Sequence, residues 1–231
     1  MNEKYWDNIG EKYFQIKESR LETVFVFVHD IIKKRNPKKI LDYGGGDGSF
    51  SIACADLPIK SIFSYDPSPK ITKLAKKKCE KIEKINVIQT TSSLSPASFD
   101  VISMNAVWMC LSAEDVCFSV FDDIRRLLKP DGLLIISVTH PCFRNIEFSS
   151  YRTNFDLKNY LNNGSKFNVE IFDASHKLHI EDTHWNLSKM TSQLFDSGFY
   201  IEKLCELADI FSIDTRQEGS PWLVILSRKK N

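Results

Sequence analysis

The chain has 231 residues, 42% apolar and 26% charged, with a formal net charge of +1. This is the make-up of a globular chain long enough for one large domain. A charge balance so close to zero provides no global field to draw it onto nucleic acid or a membrane surface, and neither is expected as a partner.

No window is long and apolar enough to span a membrane. The first residues, Met-Asn-Glu-Lys-Tyr-Trp, lack the apolar stretch of a signal peptide. Six cysteines, at 54, 79, 110, 117, 142 and 205, form no C-x-x-C pair and no zinc spacing with histidine. Free thiols, a cytoplasmic location and no metal ligand are therefore expected. Cys54, Cys110 and Cys205 read as small core residues.

In chain order, residues 3–36 read as helical. Tyr5, Trp6, Ile9, Tyr13, Phe14 and Ile16 mark an aromatic-rich first helix, and the apolar positions from Leu21 to Ile32 mark a second. Asn36-Pro37 ends this segment. Ile40 and Leu41 then lead into Asp42-Tyr43-Gly44-Gly45-Gly46-Asp47-Gly48, followed by an amphipathic run from Ser49 to Leu57. That order is strand, tight loop, helix. The loop's amides and the helix start form a surface that a ligand can approach closely. A dinucleotide fingerprint would need glycine at position 49, which is Ser49, and a P-loop would need Lys after Gly48. A glycine-rich turn with no ligand is the plain alternative.

Ser61–Asp66 reads as a second strand ending in an acid, and Pro67-Ser68-Pro69 opens a helix reaching about Lys84. Further strands are expected at Ile85–Gln89, Phe99–Met104 and Leu133–Val138, with a helix at Glu114–Leu128 and a turn at Lys129–Gly132. Seven lysines between Lys70 and Lys84 lie on the second-strand helix. Interleaved Glu80 and Glu83, with Ile71, Leu74, Ala75 and Ile82 on the other side, favour a solvated outer face over an RNA-binding one. Residues 141–182 break the alternation and read as an irregular, aromatic insert covering a cleft. After them come a helix ending at Ser197-Gly198, a strand at Phe199–Leu207 and a last, antiparallel strand at Trp222–Leu226.

Strands alternating with helices imply a mostly parallel α/β sheet whose ligands bind at the strands' carboxyl ends. Asp42, Asp66, Thr90, Asn105 and His140 all fall at such ends.

The pattern Asp42-x-Gly44-x-Gly46-x-Gly48, with Asp66 and with Leu127-Leu128-Lys129-Pro130-Asp131-Gly132, resembles the class I S-adenosylmethionine-dependent methyltransferases. The likeness is to their small-molecule branch, which includes the ubiquinone/menaquinone-type enzymes. The resemblance implies a single domain over 1–231 with a Rossmann-like seven-stranded sheet, mostly parallel with the last strand antiparallel, and helices on both faces. Residues 1–36 would form a lid, and residues 141–182 would cover the active site. The cofactor implied is S-adenosyl-L-methionine, and the partner a small-molecule acceptor methylated at O or N. An RNA or protein methyltransferase and a non-catalytic binding protein of this fold are the rival functions.

Residue by residue, the resemblance gives Gly44, Gly45 and Gly46 to the methionine moiety, with Asp42 beside them. Asp66 goes to the ribose hydroxyls, since a carboxylate accepts two hydrogen bonds, with Pro67 beside it at the cofactor; the local alternative for Asp66 is a helix cap before Pro67. Thr90, Thr91 and Ser92 stand where the family places its adenine loop, although the usual acid is missing at Thr90. Asn105 and Ala106 would line the donor pocket, Trp108 would face the acceptor, and Trp6, Tyr13 and Arg20 match lid residues. His140 and His184 are the candidate bases, since histidine titrates near neutrality; a structural hydrogen bond is the alternative for each. Arg144 and Tyr151 are candidate acceptor contacts, Arg144 for a carboxylate or phosphate.

Overall fold

The computed structural model describes residues 3–16, 19–209 and 219–230, without the side chains of Glu3, Ser19 and Arg20. The expectation for Arg20 therefore lies outside the described residues.

Two N-terminal helices, α1 (Glu3–Tyr13) and α2 (Ser19–Arg35), precede the alternating core. The core runs β1 (Lys39–Tyr43), α3 (Ser49–Ala53), β2 (Ser61–Tyr65), α4 (Pro69–Cys79), β3 (Ile85–Ile88), β4 (Phe99–Asn105), α5 (Glu114–Leu127) and β5 (Leu128–Thr139). Then come β6 (Tyr151–Thr153), β7 (Lys166–Phe172), β8 (Lys177–Thr183), α6 (Leu187–Asp196), β9 (Phe199–Leu207) and β10 (Trp222–Lys229).

The main sheet has strand order β3-β2-β1-β4-β5-β10-β9, parallel except for β10, which is antiparallel to both its neighbours. The order reverses between β1 and β4, which places the carboxyl ends of those strands at the ligand-binding position of an open α/β sheet. The centre of the sheet is dry because helices cover both faces. β4 and β5 are almost entirely buried over Val101–Met104 and Leu133–Thr139. One apolar layer joins this sheet to α5 and α6, and a second joins it to α2 and α3.

Local chemistry sets the helix starts. The Ser68 hydroxyl accepts the Ile71 N–H at 3.2 Å, and Pro69 occupies the first turn of α4. The Asn186 side chain caps α6 through the Lys189 N–H at 2.8 Å. α5 carries Glu114 and Asp115 in its first turn and Arg125 and Arg126 in its last, complementing its dipole.

Three expectations change. The expected turn at Lys129–Gly132 is an excursion inside β5: Leu128 pairs with Phe99 and Leu133 with Val101, so the chain bulges outward between two pairs that keep their partners. α4 stops at Cys79 rather than near Lys84. The segment 141–182 is not irregular: β6, β7 and β8 form a separate three-stranded antiparallel sheet. Register puts Tyr151, Phe167, Val169, Ile171, Leu178, Ile180 and Asp182 on one face. The other face carries a charge cluster in which Glu170 meets Arg152 at 2.5 Å, Lys177 at 3.2 Å and His179 at 3.3 Å.

Candidate functional site

A cavity of about 370 Å³ opens at the carboxyl ends of β1, β2 and β4. Its floor is the glycine loop. Gly44, Gly46 and Gly48 have φ of +77°, +56° and +81°, a region side chains rarely enter. A Cβ at Gly45 would come within 2.4 Å of Ser64 Oγ and 2.8 Å of Asp42 Oδ2. The loop is held from below, as the Gly44 and Gly45 N–H groups both reach the Tyr65 carbonyl at 2.8 Å.

Of the sequence-predicted residues, Trp6, Tyr13, Asp42, Gly44, Gly45, Gly46, Asp66, Pro67, Asn105 and Ala106 all line this cavity. Asp42 is buried and accepts the Ser51 hydroxyl at 3.0 Å. Burial drives its pKa up to about 7, with further upward pressure from Asp66 and Asp47. Burial also raises Asp66, to about 6, against hydrogen bonds from the Ser68 and Gly46 amides. The Ser68 amide lies 2.9 Å from Asp66 Oδ1, so the turn before α4 aims the carboxylate.

Asn105 Oδ1 accepts the Ser137 hydroxyl at 3.0 Å, while its buried Nδ2 has no partner among the described residues. Beside it Ala106 sits at φ +56°, a costly conformation for a residue with a Cβ, and its N–H is tied to the Ser137 carbonyl at 2.9 Å.

The roof comes from α1. Phe14 closes on the loop: a Cβ at Gly46 would lie 2.8 Å from its Cζ. α1 is secured on two sides. Asp7 accepts from the Ser68 hydroxyl and, at 3.2 Å, from the Lys70 N–H, while Tyr5 Oη accepts the Glu181 N–H of β8 at 2.9 Å.

The loop after β3 lies elsewhere. Thr90, Thr91 and Ser92 line an adjoining open groove that shares only Pro67 with the cavity. The Thr91 hydroxyl is spent on Asp123 at 2.7 Å, and Thr90 and Ser92 hydroxyls bond each other at 3.0 Å.

The residues chosen for chemistry need correction. His140 stands at the end of β5, but its ring turns across β10. Nε2 donates to Glu206 Oε1 at 2.8 Å, and Nδ1 accepts the Cys142 N–H at 3.2 Å. His184 is fully buried. Its Nδ1 accepts from Arg144 Nε at 3.1 Å and its Nε2 donates to the Tyr160 carbonyl at 2.8 Å, and burial holds its pKa near 4. Neither ring lines the cavity and both nitrogens of each are committed, so the structural alternative holds for both.

Arg144 is no surface contact either. It is buried, bonded to His184 and to Thr139 Oγ1 at 3.0 Å, and lies over the Phe167 ring at 4.6 Å. Trp108 is also lost to the core: the turn at Ala106 swings it against Phe121 with ring centres 4.7 Å apart, leaving Val107 and Cys110 at the cavity wall. Cys110 packs against the core and also forms part of the cavity wall, and burial and the nearby Asp182 keep it a neutral thiol.

Tyr151 lines a recess of about 20 Å³ that shares Trp6, Tyr13, Ala106 and Cys110 with the main cavity. Sequence reasoning missed the rest of this wall, Ile180 and Asp182 included, because contacts across separate sheets leave no local pattern. It also missed Lys78, which leaves the solvated lysine face to bond Asp47 Oδ2 and Ser49 Oγ, both at 2.6 Å.

The cavity brings together the glycine loop, the Asp66 carboxylate and a buried Asn105 Nδ2 with no partner among the described residues. A family model described as a methyltransferase domain matches residues 16–204. The ribosomal protein L11 methyltransferase of Streptococcus pyogenes serotype M28 (strain MGAS6180) is 31% identical over 107 residues, 45% of this chain and 32% of that protein, so the match spans about a third of this relative's length.

An S-adenosylmethionine-dependent methyltransferase from Listeria monocytogenes superposes with TM-score 0.62 at 20% identity, covering 84% of this chain and 92% of that one. The Burkholderia thailandensis 1,6-didemethyltoxoflavin-N1-methyltransferase, solved with bound 1,6-didemethyltoxoflavin and S-adenosylhomocysteine, gives TM-score 0.63 at 14% identity, covering 98% of this chain and 84% of that one. With the family model spanning most of the chain and these folds superposing along it, the chain belongs to the methyltransferase-domain family and has the fold of the class I S-adenosylmethionine-dependent enzymes.

Proposed function

We propose that the chain transfers a methyl group from S-adenosylmethionine to an O or N atom of a small molecule. The observation that carries this is the convergence of the Gly44–Gly46 loop, the Asp66 carboxylate and the aromatic face of α1 on one cavity. When bound, S-adenosylmethionine supplies a methyl on a sulfonium, which needs no further activation.

The protein's task is alignment and exclusion of water. Gly44 to Gly46 hold the methionine part, Asp66 accepts from the ribose hydroxyls, and Asn105 presents Nδ2 to the donor pocket. Trp6, Tyr13 and Phe14 roof the site, with α1 acting as the lid. Residues 141–182 close the far side through β7 and β8. Orientation of this kind contributes about 7–11 kcal/mol in favourable cases. His140 and His184 lie outside the cavity lining, and the reading assigns proton transfer to neither.

Calorimetric titration with S-adenosylmethionine and S-adenosylhomocysteine tests the reading. Binding in the micromolar range is expected, and no heat at about 1 mM, some 4 kcal/mol, would sink it.

A protein acceptor is the second reading, favoured by the likeness to an enzyme named for ribosomal protein L11. The roofed cavity, with its recess behind Trp6 and Tyr13, favours a small acceptor. Radiolabelled methyl appearing in the protein fraction of a cell extract, and not in its small-molecule fraction, would decide for the second reading.

A further inference from the structure

Trp6 stands where two spaces meet. It lines both the main cavity and the small recess behind it, a position it shares with Tyr13, Ala106 and Cys110. On the reading above, Asp66 takes the sugar of the cofactor and Gly44 to Gly46 take its methionine chain. The sulfur joins those two parts, and the methyl it gives up passes this junction on the way to an acceptor.

The junction suits a positive charge. The Trp6 and Tyr13 rings lie 5.3 Å apart at 88°. A perpendicular pair leaves ring faces uncovered that a parallel stack would hide. Aromatic faces attract cations, indole most strongly. Trp6 is also held from both sides: Tyr5 Oη accepts the Glu181 N–H at 2.9 Å, and Asp7 accepts the Lys70 N–H at 3.2 Å. A ring fixed before its ligand arrives costs little to order on binding. The surrounding charge has the matching sign. Among the described residues the cavity lining holds four carboxylates, Glu22, Asp42, Asp47 and Asp66, against one amine, Lys78, which is taken up by Asp47 at 2.6 Å. The field inside the cavity is therefore negative and favours a cationic guest.

We propose that Trp6, with Tyr13, discriminates the cofactor by charge, holding its sulfonium form and releasing the neutral thioether. The proposal rests on the methyl-transfer reading above and adds to it a specificity-determining residue. S-adenosylmethionine and S-adenosylhomocysteine differ by the methyl and by the charge on sulfur. The contact between cation and ring is thus made with the donor and lost with the product, and the site retains its product poorly.

The test is calorimetric titration at pH 7.5 with S-adenosylmethionine, S-adenosylhomocysteine and sinefungin. In sinefungin a carbon bearing a protonated amine replaces the methylsulfonium, which separates the charge from the methyl group. S-adenosylmethionine and sinefungin are expected to bind the wild-type protein about tenfold more tightly than S-adenosylhomocysteine. Trp6→Leu should cut that preference to about twofold, and Trp6→Phe, which keeps a weaker ring, to about fourfold. S-adenosylhomocysteine bound as tightly as S-adenosylmethionine by the wild-type protein overturns the proposal, and so does sinefungin binding no better than S-adenosylhomocysteine. A Trp6→Leu variant that weakens all three ligands alike, with the preference intact, makes the ring a packing element of the roof and overturns it too. If the leucine variant fails to fold, Trp6→Phe reads the same ratio, and an undiminished preference there has the same force. Absence of binding by all three ligands at about 1 mM would instead count against the methyltransferase reading.

Discussion

Tyr5 Oη accepts the backbone N–H of Glu181 at 2.9 Å, joining the N-terminal helix to the edge strand of the small sheet. With Asp7 held by Ser68 on the other side, the roof over the glycine loop is fastened both to the start of α4 and to the small sheet. Tyr5→Phe removes one clasp and leaves the core untouched. A single hydrogen bond contributes about 0.5–1.5 kcal/mol net. S-adenosylhomocysteine should bind roughly two- to tenfold more weakly by calorimetry, with little change in melting temperature.

Gly46→Ala tests the close approach of roof and loop. The φ of +56° costs an L-residue about 1–2 kcal/mol, and the new methyl meets the Phe14 ring at 2.8 Å. Ligand affinity is expected to fall by about tenfold or more. Gly46→Ala combined with Phe14→Ala should recover part of that loss, and double-mutant calorimetry measures the coupling.

Asp66 must be ionised to accept from two hydroxyls. Because burial raises its pKa to about 6, S-adenosylhomocysteine affinity should hold above that pH and decline as pH falls through it. Asp66→Ala should weaken binding by about tenfold or more at pH 7.5 and abolish the pH dependence. An unchanged dissociation constant would remove the ribose assignment.

Asp42 links pH to stability. Its folded pKa of about 7 lies above the ordinary value of 3.8. Below 3.8 both states carry the proton. As pH rises the unfolded chain releases it first, so stability is lost between about 4 and 7 and then levels off. A shift of this size amounts to a few kcal/mol, on the order of 1.4 per unit. Thermal melts of Asp42→Asn, which keeps an acceptor for Ser51, should show a shallower decline over that range than the wild-type protein.

His184→Ala should behave as a structural lesion. Arg144 Nε loses its acceptor inside the protein, a cost of about 1–3 kcal/mol. A fall of roughly 4–8 °C in melting temperature corresponds to about 2 kcal/mol in a chain of this size. Affinity for S-adenosylhomocysteine should remain within about twofold. A large loss of that affinity with no loss of stability would return the residue to the site.

Much of this molecule is legible along the chain because its causes are local. Asp42 near the end of β1, the three alternate glycines and Asp66 ahead of Pro67 each act within a few residues, through positive φ and a turn that aims a carboxylate. Apolar runs that cannot alternate, such as Leu133–Val138, announce strands covered on both faces. Those signals are enough for the sheet, the glycine cradle and ten of its predicted lining residues.

Other features depend on which segments meet. A histidine at a strand end looks the same in sequence whether its ring enters a cleft or reaches Glu206 across β10, as His140 does. Trp108 was carried into the core by the backbone turn at Ala106. The small sheet within 141–182 did have a local signal, the alternation of Phe167, Val169 and Ile171 with Asn168 and Glu170, but which strands pair was decided by the fold. Asp182 comes to share a wall with Trp6, Tyr13 and Trp222, far away in sequence, only through the packing of β8. Local periodicity and turn chemistry are properties of neighbouring residues, whereas burial, charge pairing and cavity shape arise from distant ones. The chain alone therefore specified the layered fold and the glycine loop that floors the cavity, and tertiary packing decided which polar side chains face that cavity.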